Sequence, residues 1–166
     1  MRQVSDTELE ALILAFMARI EASAFVECYD YFYMLYRFGL RAMELESVQE
    51  WEIMPDGNIL AKTLKRNMSR IMNRDDVPNS VIRTIGGSDN YVMRFGYEYY
   101  SEVLRQNIQE QRIWIGGKRV KLHVFRHAYV KRLHRGGAST AAIQALMGLK
   151  SSSVVLAYLD SAAYIK

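Results

Sequence analysis

Apolar residues recur at helical spacing along most of the chain. Leu9, Leu12, Ile13, Phe16, Met17 and Ile20 share one helical face, and Ser5-Asp6-Thr7-Glu8 ahead of them reads as a capping box. A second helix is predicted over Ala24 to Phe38, with Phe25, Tyr29, Phe32, Tyr33 and Tyr36 forming an aromatic core stripe. Gly39 interrupts the pattern, and Arg41 to Val48 reads as a short third helix. The period then changes. Glu50 to Met54 and Asn58 to Thr63 flank Pro55-Asp56-Gly57, a turn that joins hairpin strands, and Met68 to Asn73 supplies a third strand. Beyond Pro78 the chain is expected to run as a loop through Gly86-Gly87-Ser88, then as a helix from about Asn90 to Gln109. The Gly116-Gly117 turn leads into a helix over Leu122 to Arg135, which Gly136-Gly137 stops. Ser139 caps a helix over Thr140 to Met147, Gly148 ends it, and Ser151 to Ser153 start a last helix carrying Tyr158. No internal repeat is present. The expected fold class is α+β, mainly α-helical with a small three-stranded antiparallel sheet.

Composition narrows the class. Of 166 residues 50% are apolar, enough to close the core of one domain and too many for a disordered chain. The longest fully apolar run, Ala11 to Ala18, is far too short to span a bilayer, and no export signal opens the chain. Cys28 stands alone, so no internal disulfide forms, which fits a cytoplasmic setting. The formal net charge of +4 hides a segregated distribution. From Gln111 to Leu159 run Arg112, Lys118, Arg119, Lys121, Arg126, Lys131, Arg132, Arg135 and Lys150 without one acid, whereas residues 1 to 60 are acidic. Such a field suits a polyanionic partner, although a solvated basic face gives the same count.

Three clusters carry candidate chemistry. In Gly39-Leu40-Arg41-Ala42-Met43-Glu44-Leu45, Arg41 and Glu44 share a helical face, so the carboxylate can orient the guanidinium. In His123-Val124-Phe125-Arg126-His127, His123 and Arg126 project together. The two histidines at i,i+4 raise a metal site, but Val124 stands where a zinc protease carries glutamate and no cysteine or carboxylate cluster completes a shell. No metal or other cofactor is expected. The third cluster is Ala157-Tyr158-Leu159, in a chain whose 11 tyrosines are mostly packing residues.

The order and spacing of all three resemble the catalytic domain of the tyrosine recombinase (phage integrase) family. Gly39 to Leu45 matches its Gly-Leu-Arg-x-x-Glu-Leu box, His123, Arg126 and His127 its His-x-x-Arg-His box, and Tyr158 its downstream tyrosine. Gly137, Ile143-Gln144 and Met147-Gly148 resemble the stretch between them. A hairpin lysine with an arginine five residues on is matched by Lys65 and Arg70, with Lys62 the competing lysine. One position departs: Leu149 stands where the family places a histidine or tryptophan that donates to the scissile phosphate. Lys150 is the neighbour that can reach in instead.

The resemblance implies the integrase catalytic-domain fold and a site-specific DNA recombinase that breaks and rejoins double-stranded DNA through a 3′-phosphotyrosyl intermediate. It assigns Tyr158 as nucleophile, Arg41 and Arg126 as phosphate ligands, Lys65 as the acid for the leaving 5′-oxygen, His123 as an acid or base or a hydrogen-bond donor to a phosphate oxygen, and Glu44 as support for Arg41. Tyr164 is a substitute nucleophile to be tested. Lys62, Arg66, Arg70, Lys118, Arg119, Lys121, His127, Lys131, Arg132 and Lys150 are expected to contact DNA. The resemblance further implies a bacterial, phage or mobile-element source and self-association as a tetramer on two duplexes. The length is that of a single catalytic domain, 1–166, without the family's N-terminal DNA-binding domains. The alternative is a catalytically weak or inactive regulator of the same fold.

Overall fold

A computed structural model describes residues 1–63, 69–108, 113–119 and 121–165. The order of elements is β1 (Arg2–Val4), α1 (Asp6–Glu21), α2 (Tyr29–Phe38), β2 (Glu52–Ile53), β3 (Ile59–Lys62), β4 (Ser69–Met72), α3 (Asn79–Thr84), α4 (Tyr97–Asn107), β5 (Ile113–Ile115), β6 (Lys118–Arg119), α5 (Val124–Arg135), α6 (Thr140–Met147), α7 (Ser152–Asp160) and β7 (Ala163–Ile165). Short 3-10 turns cover Val26–Cys28, Ala42–Glu50 and Arg74–Asp76. The class is the expected α+β, mainly helical. The expected three-stranded sheet forms in the order β2-β3-β4, with Ile59 opposite both Ile53 and Met72.

A second sheet, in the order β1-β7-β5-β6, lies outside the sequence reading. It brings the two ends of the chain together, pairing Val4 with Ala163 and Ile113 with Ile165. Other differences are smaller. The segment after Arg41 is a 3-10 turn kinked at Ser47 rather than an α-helix, and α3 occupies part of the stretch read as loop. The helix expected from Asn90 starts at Tyr97, because the Asn90 side chain accepts from the backbone N–H groups of Val92 and Met93 and holds a turn there.

The main core lies between α1, α2, α4 and α5. Phe32 meets Phe16 edge-on at 4.9 Å and Phe125 at 5.8 Å, while Tyr31 stacks on Tyr100 at 3.7 Å. Burial pushes the Tyr31 and Cys28 acid groups up, so both are neutral packing residues. A smaller cluster of Tyr129, Val130, Ile143, Met147 and Val155 joins α5 to α6 and α7, with Leu149 and Tyr158 packed on its edge. This second cluster hangs the helix carrying Tyr158 on the rest of the fold.

Helix ends explain the local paths. Ser5 Oγ accepts from the Glu8 N–H at 3.1 Å to start α1, though the Glu8 carboxylate turns to Arg2 instead of closing the box. Gly148, in the left-handed region at φ 63°, ends α6. There the N–H of Leu149 bonds to Gln144 O at 3.0 Å and that of Gly148 to Ala145 O at 3.2 Å. This is a Schellman turn, whose second residue past the helix is characteristically apolar and packs back. Leu149 fills that place. Among the described residues no single helix is long and apolar enough to cross a membrane.

Candidate active site

The end of α2 is the foundation of the site. The last carbonyls of a helix have no partner inside it and carry its negative end. Three arginines from elsewhere in the chain take them: Arg132 donates to Tyr36 O at 2.6 Å, Arg70 to Phe38 O at 2.6 Å, and Arg126 to Gly39 O at 2.7 Å. Gly39 has φ 63°, and a Cβ there would stand 2.3 Å from the Tyr129 ring, so only glycine fits. Arg70 and Arg132 both lie over that same ring. The chain therefore leaves α2 along a fixed path, and Arg41 emerges two residues later.

Arg41 is held by Glu44. The buried Glu44 carboxylate accepts from the Arg41 backbone N–H at 2.6 Å and lies 3.7 Å from its guanidinium. Arg126, only 1% exposed on α5, also donates to Met147 O at 3.1 Å, the free carbonyl at the end of α6. Its Nε has no partner within the protein. Two guanidiniums thus converge, and the proximity of Arg41 adds to burial in pulling the Arg126 pKa down.

His123 lies one position before α5, and its Nε2 is 2.6 Å from the Tyr158 hydroxyl on α7. The two rings are nearly parallel, with centroids 5.4 Å apart. Burial, then the charges of Arg126 and Arg41, lower the His123 pKa, so its imidazole is neutral at physiological pH. Tyr158, His123, Arg126, Arg41 and Glu44 are brought together from three separate stretches of sequence. A neutral imidazole facing a phenol, with two fixed cations alongside, is an arrangement for receiving the phenol's proton while an anion is held nearby.

The remaining expected residues divide. Lys65 and Arg66 lie outside the described residues. Lys62, at the end of β3, is paired with Glu52 at 3.7 Å on the surface. Lys118, Arg119, Lys121 and Lys150 are exposed. Four expected DNA contacts turn inward. Arg70 and Arg132 hold the end of α2, and Arg132 also pairs with Glu10 at 2.8 Å. Lys131 is buried against Asp6 at 3.1 Å, and His127 is 3% exposed beside Tyr158. Burial and the nearby Lys131 charge push the His127 pKa down to about 4. Leu149 packs in the small cluster with Tyr158 and offers no donor. Tyr164 lies in β7, opposite Trp114. Among the described residues no three His, Cys, Asp or Glu side chains gather as a metal set.

Nothing in the sequence pointed to the carbonyl clamp around Arg126, the packing of Tyr129 against Gly39, or the α1 carboxylates that pair with Lys131, Arg132 and Arg135 of α5. The Gly116-Gly117 turn was the signal for β5 and β6, flanked as it is by Ile113-Trp114-Ile115 and by Lys118-Arg119.

Comparison with known proteins agrees with this geometry. The model of the phage integrase family matches residues 4–164. No curated protein matches the chain. Among solved structures, XerA recombinase superposes with a TM-score of 0.57 at 18% identity over 95% of this chain and 58% of its own. XerH site-specific recombinase, in a pre-cleavage complex with its difH substrate, gives 0.62 at 15% identity over 96% of this chain and 50% of its own. The Tn1549 transposon integrase in complex with circular intermediate DNA gives 0.55 at 16% identity, over 94% and 60% respectively. The chain thus spans half to three-fifths of the length of these neighbours. With its boxes in order and its match running from residue 4 to 164, the chain belongs to the phage integrase family of tyrosine recombinases.

Proposed function

We propose that this chain is the catalytic domain of a site-specific recombinase that cleaves and rejoins double-stranded DNA with Tyr158 as nucleophile. The observation that carries the reading is the 2.6 Å contact between the Tyr158 hydroxyl and the Nε2 of a neutral His123, beside Arg126 and Arg41. In the reaction the Tyr158 oxygen bonds to the scissile phosphorus and its proton passes to His123. The bond to the 5′-oxygen breaks, leaving a 3′-phosphotyrosyl link, and that oxygen takes a proton, the role the family resemblance gives to Lys65. Arg41 and the unpartnered Nε of Arg126 hold the non-bridging oxygens as charge moves onto them. Exposed Lys118, Arg119, Lys121 and Lys150 supply backbone contacts, which makes binding salt-dependent and weakly sequence-selective. Assembly of four subunits on two duplexes is part of the same proposal.

A second reading, a DNA-binding regulator with the recombinase fold, is favoured by Leu149, which packs on the Tyr158 cluster where a phosphate donor is expected. One experiment separates them. A nicked suicide duplex carrying the element's attachment site is incubated with the protein and run on a denaturing gel. The recombinase reading requires a covalent protein–DNA adduct that disappears in Tyr158→Phe and persists in Tyr164→Phe. Binding without any adduct supports the regulator.

A further inference from the structure

A cavity of about 870 Å³ opens beside the catalytic tyrosine, between the β5–β6 turn and α7. Trp114, Ile115, Val124 and Val154 give it apolar walls, and Tyr158 borders it. The turn itself is Gly116-Gly117, where no side chain narrows the space and an added Cβ would meet nothing within 4 Å. Lys118, Arg119 and Lys121 stand around it. His127 also lines it, and its Nε2 has no hydrogen-bond partner. A buried polar nitrogen without a partner is a cost that a ligand's polar edge removes. The Tyr158 and His127 rings are tilted neighbours, with centroids 6.4 Å apart.

We infer that this cavity receives an unpaired nucleobase of the bound DNA, next to the phosphate that Tyr158 attacks. The inference rests on the recombinase reading. Each property of the site matches one part of such a nucleotide. The base is flat and apolar on its faces, which suits Trp114 and the aliphatic walls. Its edge carries donors and acceptors, and a neutral imidazole pairs with either according to its tautomer. Its flanking phosphates are anionic, which suits Lys118, Arg119 and Lys121. A nucleotide next to the cleaved bond is held by Tyr158 within reach of the cavity, and it must leave its original partner before a strand can be rejoined to a different duplex. A base already out of the stack enters without the unpairing cost.

The test uses the full chain and two fluorescently labelled duplexes, identical except that one carries a single unpaired 2-aminopurine. With stacking on Trp114, binding of the bulged duplex is expected to be at least about fivefold tighter than that of the paired one. The 2-aminopurine emission is expected to fall on binding. Val154→Trp fills the cavity from α7, and His127→Asn removes the imidazole edge. Val154→Trp is expected to bring the affinity ratio to one, and His127→Asn to reduce it. Equal affinity for both duplexes with the parent chain overturns the inference while leaving the recombinase reading intact, as does a preference that survives Val154→Trp. No binding to either duplex overturns both.

Discussion

Arg126→Lys separates the two tasks of one side chain. The Arg126 guanidinium spans the carbonyls of Gly39 at 2.7 Å and Met147 at 3.1 Å, tying the ends of α2 and α6 together from inside the core. A lysine ammonium keeps the charge but is a point rather than a fork, so it reaches one carbonyl and leaves the other unpaired. A lost hydrogen bond to a charged donor costs about 1.5–3 kcal/mol. At roughly 2–4 °C per kcal/mol for a chain of this size, the melting temperature should fall by about 3–12 °C. The catalytic loss is separate. Lysine has no counterpart of the free Nε, and losing one preorganised donor to a developing oxyanion costs about 3–4 kcal/mol, a factor of about 10² to 10³ in rate. The assay is single-turnover adduct formation on the suicide duplex, well below the variant's melting temperature and alongside a thermal melt. Cleavage within about threefold of the parent refutes the phosphate role. An unchanged melt refutes the carbonyl clamp.

Three further outcomes follow from the geometry. Gly39→Ala combines a positive φ with a Cβ 2.3 Å from the Tyr129 ring, so it should cost about 2–5 kcal/mol by chemical denaturation; a loss under about 1 kcal/mol counts against that packing. His127 titrates near 6.5 when unfolded and at about 4 when folded, so between these values the unfolded chain binds the extra proton. Its stabilisation is complete above about pH 6.5 and is lost as pH falls toward 4, by up to about 3 kcal/mol; stability measured across this range should show a slope that His127→Gln flattens. Leu149→His places a donor where the cluster beside Tyr158 has none, and single-turnover cleavage should rise by roughly tenfold; no gain shows that position 149 is irrelevant to the phosphate.

Much of this site is legible in the sequence because its signals are local. The Gly39-Leu40-Arg41 break, the His123–Arg126 face and the Ser139 and Gly148 caps each sit within one or two helical turns, and the structure brings Arg41, His123, Arg126 and Tyr158 together. What escaped is non-local. The strands of the second sheet are two or three residues long, below the length at which alternation can be read, and their register joins residues 2–4 to 163–165. Backbone carbonyls have no sequence signature, so nothing announced that Arg126, Arg70 and Arg132 would share the end of α2. Charge segregation misled in a specific way. Lys131 and Arg132 are expected to face DNA, yet Asp6 and Glu10 of α1 pair with them across the fold. Part of the acidic N-terminal third and part of the basic C-terminal stretch are partners of one another. Among the described residues of that stretch, the exposed bases are Lys118 and Arg119 on the β5–β6 hairpin, Lys121, Arg135 and Lys150.

The most direct measurement is the site of covalent attachment. Adduct trapped on the suicide duplex is digested with nuclease and protease, and the modified peptide is sequenced by mass spectrometry. The expected product is a residual nucleotide joined through its 3′-phosphate to Tyr158, on the peptide that follows Lys150. Attachment to Tyr164 or to any other residue, or through a 5′-phosphate, would contradict it.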